Sequence, residues 1–344
     1  MLKATSCLLA AICVCFMIWV SWREIQLNDA FGSSIVVGIA LTANHAALSC
    51  KHTNGSFEDL GRIEGTAEYI ALMRRLSSWD SWHLHPPYRS LGDLGNDYPR
   101  QMRRRARKAA GLPASSDVAI LASVLKSIID VVGNRTELPL SALVSFPALP
   151  GLYQEDIADA AIYVGLHQLR DGYGLHPHEL VATYAAHGFG LKNGSELLSG
   201  DKSFPTRPTL LVEYTEIAFL LHHDFMGKAI ELQWPSIALR TSLAMGSDHS
   251  PDEIEIRNHV IEFLWDEYLI REPDDGRAPE TVTVLITGSS KSLADGRLQN
   301  ATRTAVDLLH SRIEMFSHNP EYIAARGAAE LAWRALKSEE NGEL

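Results

Sequence analysis

The chain has 344 residues, 46% hydrophobic and 21% charged, with a formal net charge of −11. This is the composition of a globular protein with ample apolar material for a core, long enough for two ordinary domains or one two-lobed domain. The acidic balance argues against general nucleic-acid binding, which needs a basic face.

Residues 4–22, ATSCLLAAICVCFMIWVSW, carry no charge and approach the roughly 20 residues that a helix needs to cross a bilayer. Lys3 lies on one side, and Trp19 and Trp22 suit the far interface. No clean small-x-small cleavage site precedes Arg23, so residues 1–30 read as a signal anchor or, alternatively, a cleaved signal peptide. A soluble core helix ranks behind both, because the stretch is apolar all round. Asn54, Asn134, Asn193 and Asn300 each open an Asn-x-Ser/Thr glycosylation acceptor with no Pro in the middle. Together with the apolar segment they favour a body that is lumenal or extracellular, membrane-anchored by a single pass or secreted, and a eukaryotic source. Cys7, Cys13 and Cys15 fall in the apolar segment and leave Cys50 alone beyond it. One thiol makes neither a disulfide framework nor a zinc site of paired cysteines.

SIVVGIAL (34–41) is a β-branched run of strand type, HAALSCKH (45–52) is its shorter partner, and NGSFEDLGRIEG (54–65) is a turn followed by an extended piece. TAEYIALMRRLSSW (66–79) has helical spacing, with Tyr69, Leu72, Met73 and Leu76 on one face. Asp80 to Leu112 breaks the pattern with prolines, glycines and a basic run, and reads as a surface excursion ending in a short helix. SDVAILASVLKSIIDVVG (116–133) is a helix capped by Ser115 or Ser116. LSALVSFPAL (140–149) is a buried strand entering a Pro turn, and YQEDIADAAIYVGLHQL (153–169) is an amphipathic helix. ELVATYAAHGFGL (179–191) is a small-residue helix that breaks at Gly188 and Gly190. The polar, Pro-containing stretch 197–209 marks the best lobe boundary. LLVEYTEIAFLLHHDF (210–225) then repeats the opening strand, turn and strand, and SPDEIEIRNHVIEFLWDEYL (250–269) is a long helix with acids in its first turn. ETVTVLITGSS (280–290) is a buried strand entering a Gly-Ser loop, and NPEYIAARGAAELAWRAL (319–336) is an Ala-rich closing helix. The order of elements is α/β, arranged twice.

From about Ser34 to Leu336 the chain resembles the actin-like ATPase superfamily, and most of all the fungal members related to the heat-shock-chaperone nucleotide-binding domain. VVGIALTANHAALS is similar to the first phosphate hairpin of that superfamily, and LLVEYTEIAFLL falls where the second belongs. LVSFPALPGLYQEDIADAAIYVGL, ELVATYAAHGFGL, VTVLITGSS and NPEYIAARGAAELA follow in the family's order. The resemblance implies a two-lobed, ribonuclease H-like α/β fold behind the N-terminal apolar helix, with an N-terminal lobe over 31–207 and a C-terminal lobe over 208–337. Only a polar tail, 338–344, follows, so client capture by a peptide-binding domain is not expected.

In this superfamily the two hairpins clamp phosphates through backbone N–H groups, while carboxylates hold the waters of Mg²⁺. On these terms the nucleotide-binding positions are Thr42, Ala43, Asn44, Thr215, Gly288, Ser289 and Ser290. Ala40 stands at the Asp position of the first hairpin and Thr42 at the following Gly position. In the second, Glu213 replaces an Asp, and Tyr214, Thr215 and Glu216 replace the Gly-rich turn. The degenerate motifs point to a catalytically impaired protein that acts through weak nucleotide binding or a protein partner, with ATP and Mg²⁺ as the only cofactor candidates. The alternative is a slow ATPase or small-molecule kinase that uses Glu213. The close pairs His83/His85, His176/His178 and His222/His223 invite a metal reading, but no third ligand is nominated, and structural roles are favoured. Asp248 and His249 read as a helix start. The run around Arg100, Arg103, Arg104, Arg105, Arg107 and Lys108 reads as a solvated face, with a contact to anionic lipid or a partner as the lesser alternative.

Overall fold

A computed structural model describes residues 35–133, 140–169, 176–191, 204–229, 239–243, 245–267, 279–309 and 311–340. The N-terminal apolar segment, Asn134 and Asn193 lie outside the described residues.

The first sheet contains β1 (Ile35–Leu41), β2 (His45–Lys51), β3 (Phe57–Glu64), β4 (Leu140–Ser145) and β5 (His167–Gln168), in the order β3-β2-β1-β4-β5. β1, β2 and β3 pair antiparallel, whereas β4 and β5 run parallel to β1. The second sheet contains β6 (Arg207–Tyr214), β7 (Phe219–Met226), β8 (Leu239–Ser242), β9 (Thr281–Gly288) and β10 (Arg312–Phe316). Its order, read from the other edge, is β8-β7-β6-β9-β10, with the same antiparallel and parallel pairings. The chain therefore makes one five-stranded plan twice, a mixed α/β architecture consistent with the two lobes expected.

The helices among the described residues are α1 (Ala67–Leu76), α2 (Leu91–Ala109), α3 (Ser116–Gly133), α4 (Gln154–Tyr163), α5 (Glu179–Ala186), α6 (Glu253–Trp265), α7 (Ser290–Leu293), α8 (Arg297–Leu308) and α9 (Ile323–Glu340). In α1 the Thr66 hydroxyl accepts from Tyr69 N–H, and Tyr69, Leu72, Met73 and Leu76 are the buried face. α6 starts at a capping box between Asp252 and Glu255.

The excursion from Asp80 to Leu112 differs from its expected irregularity. Most of it is the 19-residue helix α2, with Pro99 inside it. A proline in a helix interior costs about 3 kcal/mol, and two features offset it here. Ser90 and Asp93 form a reciprocal capping box. Arg100 and Arg104 are then tied to Asp97 in α2 and to Glu155, Asp156 and Asp159 in α4. α4 itself ends at Tyr163, six residues short of the expected helix, and the chain turns into β5. β5, β8 and β10 are only two, four and five residues long, and β8 and β10 are incompletely buried, so neither alternation nor an apolar run marks them.

Strand parity distributes the core over three layers. Val37, Ile39 and Leu41 of β1 pack with α1, α3 and α4 on the outer face of the first sheet. Leu210 and Val212 of β6 pack with α6 and α8 on the outer face of the second. Between the sheets, α5 and α9 cover the inner faces, with Val36, Leu143, Leu211 and Leu285 meeting Leu180, Tyr184, Ala328 and Leu331. α9 thus packs on the first sheet as well as the second: Gly38 of β1 lies under Ala325 and Ala329.

Candidate functional site

The two hairpins use the same turn. After β1, Thr42 N–H donates to His45 O at 2.9 Å, and the Thr42 hydroxyl accepts from His45 N–H at 3.1 Å. After β6, Thr215 N–H donates to Ala218 O at 2.9 Å, and the Thr215 hydroxyl accepts from Ala218 N–H at 3.1 Å. Both threonines satisfy their own turn. Thr42 O also accepts from the buried Tyr69 hydroxyl at 2.7 Å.

The turns face each other and are joined. Ala43 N–H donates to Glu213 Oε1 at 2.8 Å. The Asn44 side-chain amide donates to Glu216 Oε2 at 2.9 Å, and the Ser289 hydroxyl donates to Glu216 Oε1 at 2.7 Å. Burial opposes the charge on Glu216, but these two bonds and its own N–H hold the carboxyl below its usual range, so it is an ion. Ala218 and Leu220, from the second hairpin, are part of the first lobe's outer core. The space where two hairpins would hold a phosphate chain between them is here a seam of direct hydrogen bonds.

The loop after β9 follows the same logic. Gly288 adopts φ +118°, and a Cβ there would fall 2.0 Å from Tyr214 O. The glycine is required so that the chain can pass its own neighbouring strand, and Ser289 N–H donates to that same Tyr214 O at 2.9 Å. Ser290 N–H donates to Glu321 Oε1 at 3.0 Å. Thr42, Ala43, Asn44 and Ser289 therefore fall in one connected seam through Glu213 and Glu216. Thr215 and Gly288 adjoin it through Tyr214, and Ser290 turns away.

Glu179, at the start of α5, joins Glu213 below the seam. Both side chains are buried and lie within hydrogen-bonding reach of one another. Burial is the main cause that pushes both carboxyls up, and at Glu213 the like charge of Glu179 adds to it, so that Glu213 lies well above its ordinary range. Glu179 Oε1 and Glu213 Oε2 have no partner among the described residues, and a proton on one carboxyl can serve the other. Sequence reasoning missed Glu179, whose only signal was an acid in the first turn of a helix, which the helix dipole already explains.

The internal repeat exposes an asymmetry. Ala40 and Glu213 occupy equivalent places, each one residue before its strand ends and each beside a parallel strand, opposite Ser145 and Thr287 respectively. Glu213 meets the acidic start of α5. Ala40 meets Ala324 and Ala325 at the start of α9. One half presents a pair of carboxyls and the other an alanine contact. A cation or triphosphate held from both lobes does not fit these residues: the Ala43 N–H is taken by Glu213, Ala40 offers no ligand atom, and the nearest ionised carboxylate, Glu216, is already doubly bonded.

The histidine pairs are structural. His176 Nδ1 accepts from Val144 N–H at 3.0 Å, which requires a neutral ring. His222 is buried and the partly buried His178 ring lies 6.2 Å from it between centroids, and His83 and His85 pack on Tyr153. Among the described residues, the one group of three metal-type ligands close together is Cys50, His52 and Glu58. His52 Nε2 is 3.1 Å from Glu58 and 3.8 Å from Cys50 Sγ. Burial and the Glu58 charge push the Cys50 thiol up, away from the thiolate a metal would need. Asp248 and His249 are exposed in a single short helical turn.

No family model matches the sequence, and no curated protein matches it. Among solved structures, the ethanolamine utilization protein EutJ from Carboxydothermus hydrogenoformans aligns over 87% of this chain and 90% of its own, with a TM-score of 0.43 and 10% identity. A likeness that distant assigns neither a family nor an activity to this chain.

Proposed function

We propose that this chain is a chaperone-like member of the actin-like ATPase superfamily, of fungal type, whose phosphate clamp has become a lock between its lobes. It acts through protein interaction and retains at most weak nucleotide binding. The observation that carries the reading is the Glu213–Ala43 bond beside the doubly bonded Glu216 carboxylate. A triphosphate would have to break the seam and approach that ion. Two unit charges 4 Å apart at an effective dielectric of 20 repel by about 4 kcal/mol, which is close to three decades of affinity.

Titrating the purified body with Mg-ATP while phosphate release is recorded tests this. The expected result is no saturable release and no binding tighter than about millimolar. Saturable turnover that disappears in Glu213→Ala would overturn it. That outcome belongs to the second reading, a slow ATPase or small-molecule kinase, which one observation favours: Glu179 and Glu213 bring two buried carboxyls side by side.

We further propose that the body is glycosylated and either membrane-anchored through the N-terminal segment or secreted. Asn54, in the turn between β2 and β3, and Asn300, on α8, are both exposed, which supports their use as acceptors. No helix among the described residues is long and apolar enough to cross a membrane. Endoglycosidase treatment of the protein from its native cells is expected to shift its gel band, and an unshifted band rejects the compartment.

A further inference from the structure

We propose that a pocket between α2 and the start of α3 binds a phosphate-bearing small anion. The pocket has a volume of about 400 Å³ and is lined by Arg75, Arg100, Arg103, Arg104 and Arg107, against only Asp117 and Asp156 among the carboxylates. Arg100, Arg103, Arg104 and Arg107 stand at i, i+3, i+4 and i+7, so α2 turns one arginine stripe toward the cavity.

The stripe has two parts with different states. Arg104 is buried and held by Asp156 at 2.6 Å and Asp159 at 2.7 Å, and Arg100 is held by Asp97 and Glu155. These pairs neutralise the floor and fix the helix. Arg103 and Arg107 at the mouth are different. Arg103 has no hydrogen bond or ion pair among the described residues, and Arg107 donates only its Nε, to Pro113 O at 2.7 Å. Asp117 is already paired with Arg75 at 2.5 Å, so it does not neutralise the mouth.

Two arginines four residues apart on a helix repel one another, and a merely solvated basic face would splay them over open surface. Here they converge on a concavity that also receives Ser115, Ser116 and the first turn of the 18-residue helix α3, whose dipole favours an anion although Ser115 Oγ already takes Val118 N–H. Planar guanidinium forks recognise the oxygens of a phosphate by paired, charge-assisted hydrogen bonds. The volume suits a small ligand. The same headgroup chemistry could come from a free phosphoester or from a phosphomonoester lipid. Trp79 and Trp82, which flank the pocket residue Ser81, are 59% and 53% exposed, so the test separates the two sources.

The experiment is calorimetric titration of the full chain with pyrophosphate and, separately, with short-chain phosphatidic acid. It is repeated with Arg103→Gln/Arg107→Gln and with the charge-matched control Arg74→Gln/Arg105→Gln, whose side chains are exposed and off the pocket. Saturable binding is expected for the native chain, at least about tenfold weaker in the pocket variant, since two charge-assisted hydrogen bonds are removed, and within about twofold of native in the control. Binding of pyrophosphate identifies a free phosphoester as the source, and binding of the lipid alone identifies a headgroup. The replaced arginines hold no carboxylate and the one bond lost is that of Arg107 to Pro113 O, so the thermal midpoint of the pocket variant should fall by no more than about 4 °C. No binding of either probe up to about 5 mM, or equal losses in both variants, overturns the proposal; equal losses would mean a diffuse charge effect.

Discussion

Acidification from about pH 7 to pH 4.5 is expected to destabilise the protein, each buried neutral ring contributing up to about 1.4 kcal/mol per pH unit below the ordinary histidine range. His45, His176, His222 and His223 are buried in the folded chain, and His178 packs against Phe146 and His222. Burial lowers His176 and His178 to about 4 and His45 and His223 to about 3, and takes His222 well below its usual value. His176 shows the reason directly, because the nitrogen that would take the proton already accepts Val144 N–H. The sign follows from linkage. Below the unfolded value near 6.5 the unfolded chain binds these five protons and the folded chain does not, so stability is complete above that pH and is lost as pH falls toward 4. Glu179 and Glu213 act in the opposite sense: their raised values keep at least part of a proton on the folded pair that the unfolded chain releases above its ordinary carboxylate range. The rings outnumber these carboxyls, so the sign of the sum is that of the histidines. Against an ordinary stability of about 5–15 kcal/mol, even two uncompensated rings over two pH units remove about 5 kcal/mol. Urea midpoints followed by circular dichroism between pH 4.5 and 7 measure it. A midpoint that does not move across that range would show that the buried rings are protonated in the fold and that their surroundings are wrongly described.

The second large effect is expected at the crossing of α5 and α9. A Cβ on Gly327 would fall 1.7 Å from Ala182 O, and one on Gly38 would fall 2.0 Å from Ala325 O. In both cases the obstacle is backbone of a packed element, which cannot rotate away as a side-chain tip can. Gly327→Ala should therefore destabilise by at least about 3 kcal/mol, at the upper end of overpacking costs, because two helices must separate by more than an ångström. Gly95→Ala in the exposed part of α2 is the control. Nothing lies within 4 Å of its added Cβ, and the change should be neutral or stabilising by up to about 1 kcal/mol. Denaturant unfolding of the three chains decides. A loss below about 1 kcal/mol for Gly327→Ala would mean that α5 and α9 are not in the contact described. The crossing matters beyond stability: α9 lies against both sheets, so loosening it also loosens the seam that joins the hairpins.

The seam itself was only half visible beforehand. Glu213 and Glu216 stand out in LLVEYTEIAFLL as acids in an apolar strand and its turn, and both prove central. As a sequence, however, that stretch indicates only where charge sits. Whether Glu213 faces water, a cation or the amide of Ala43 depends on a residue 170 positions away. The same holds for the arginines of α2. Their run reads as a basic face, because nothing local reveals that α4 supplies three carboxylates to two of them and leaves Arg103 and Arg107 at a cavity mouth.

What the amino-acid order determined alone was the set of local elements: strand-type apolar runs for β1, β6 and β9, helical periodicity for α1 and α3, and a strand-turn-strand written twice. Those follow from period and capping, which act over a few residues. The tertiary structure decided what those elements mean together. It set the equivalence of Ala40 with Glu213, the union of Glu179 with Glu213 across one buried gap, and the glycine at 288 that accommodates the chain's own Tyr214. Each depends on the distance between groups remote in sequence, and at such distances the cost of burying a charge or crowding a backbone outweighs any local preference.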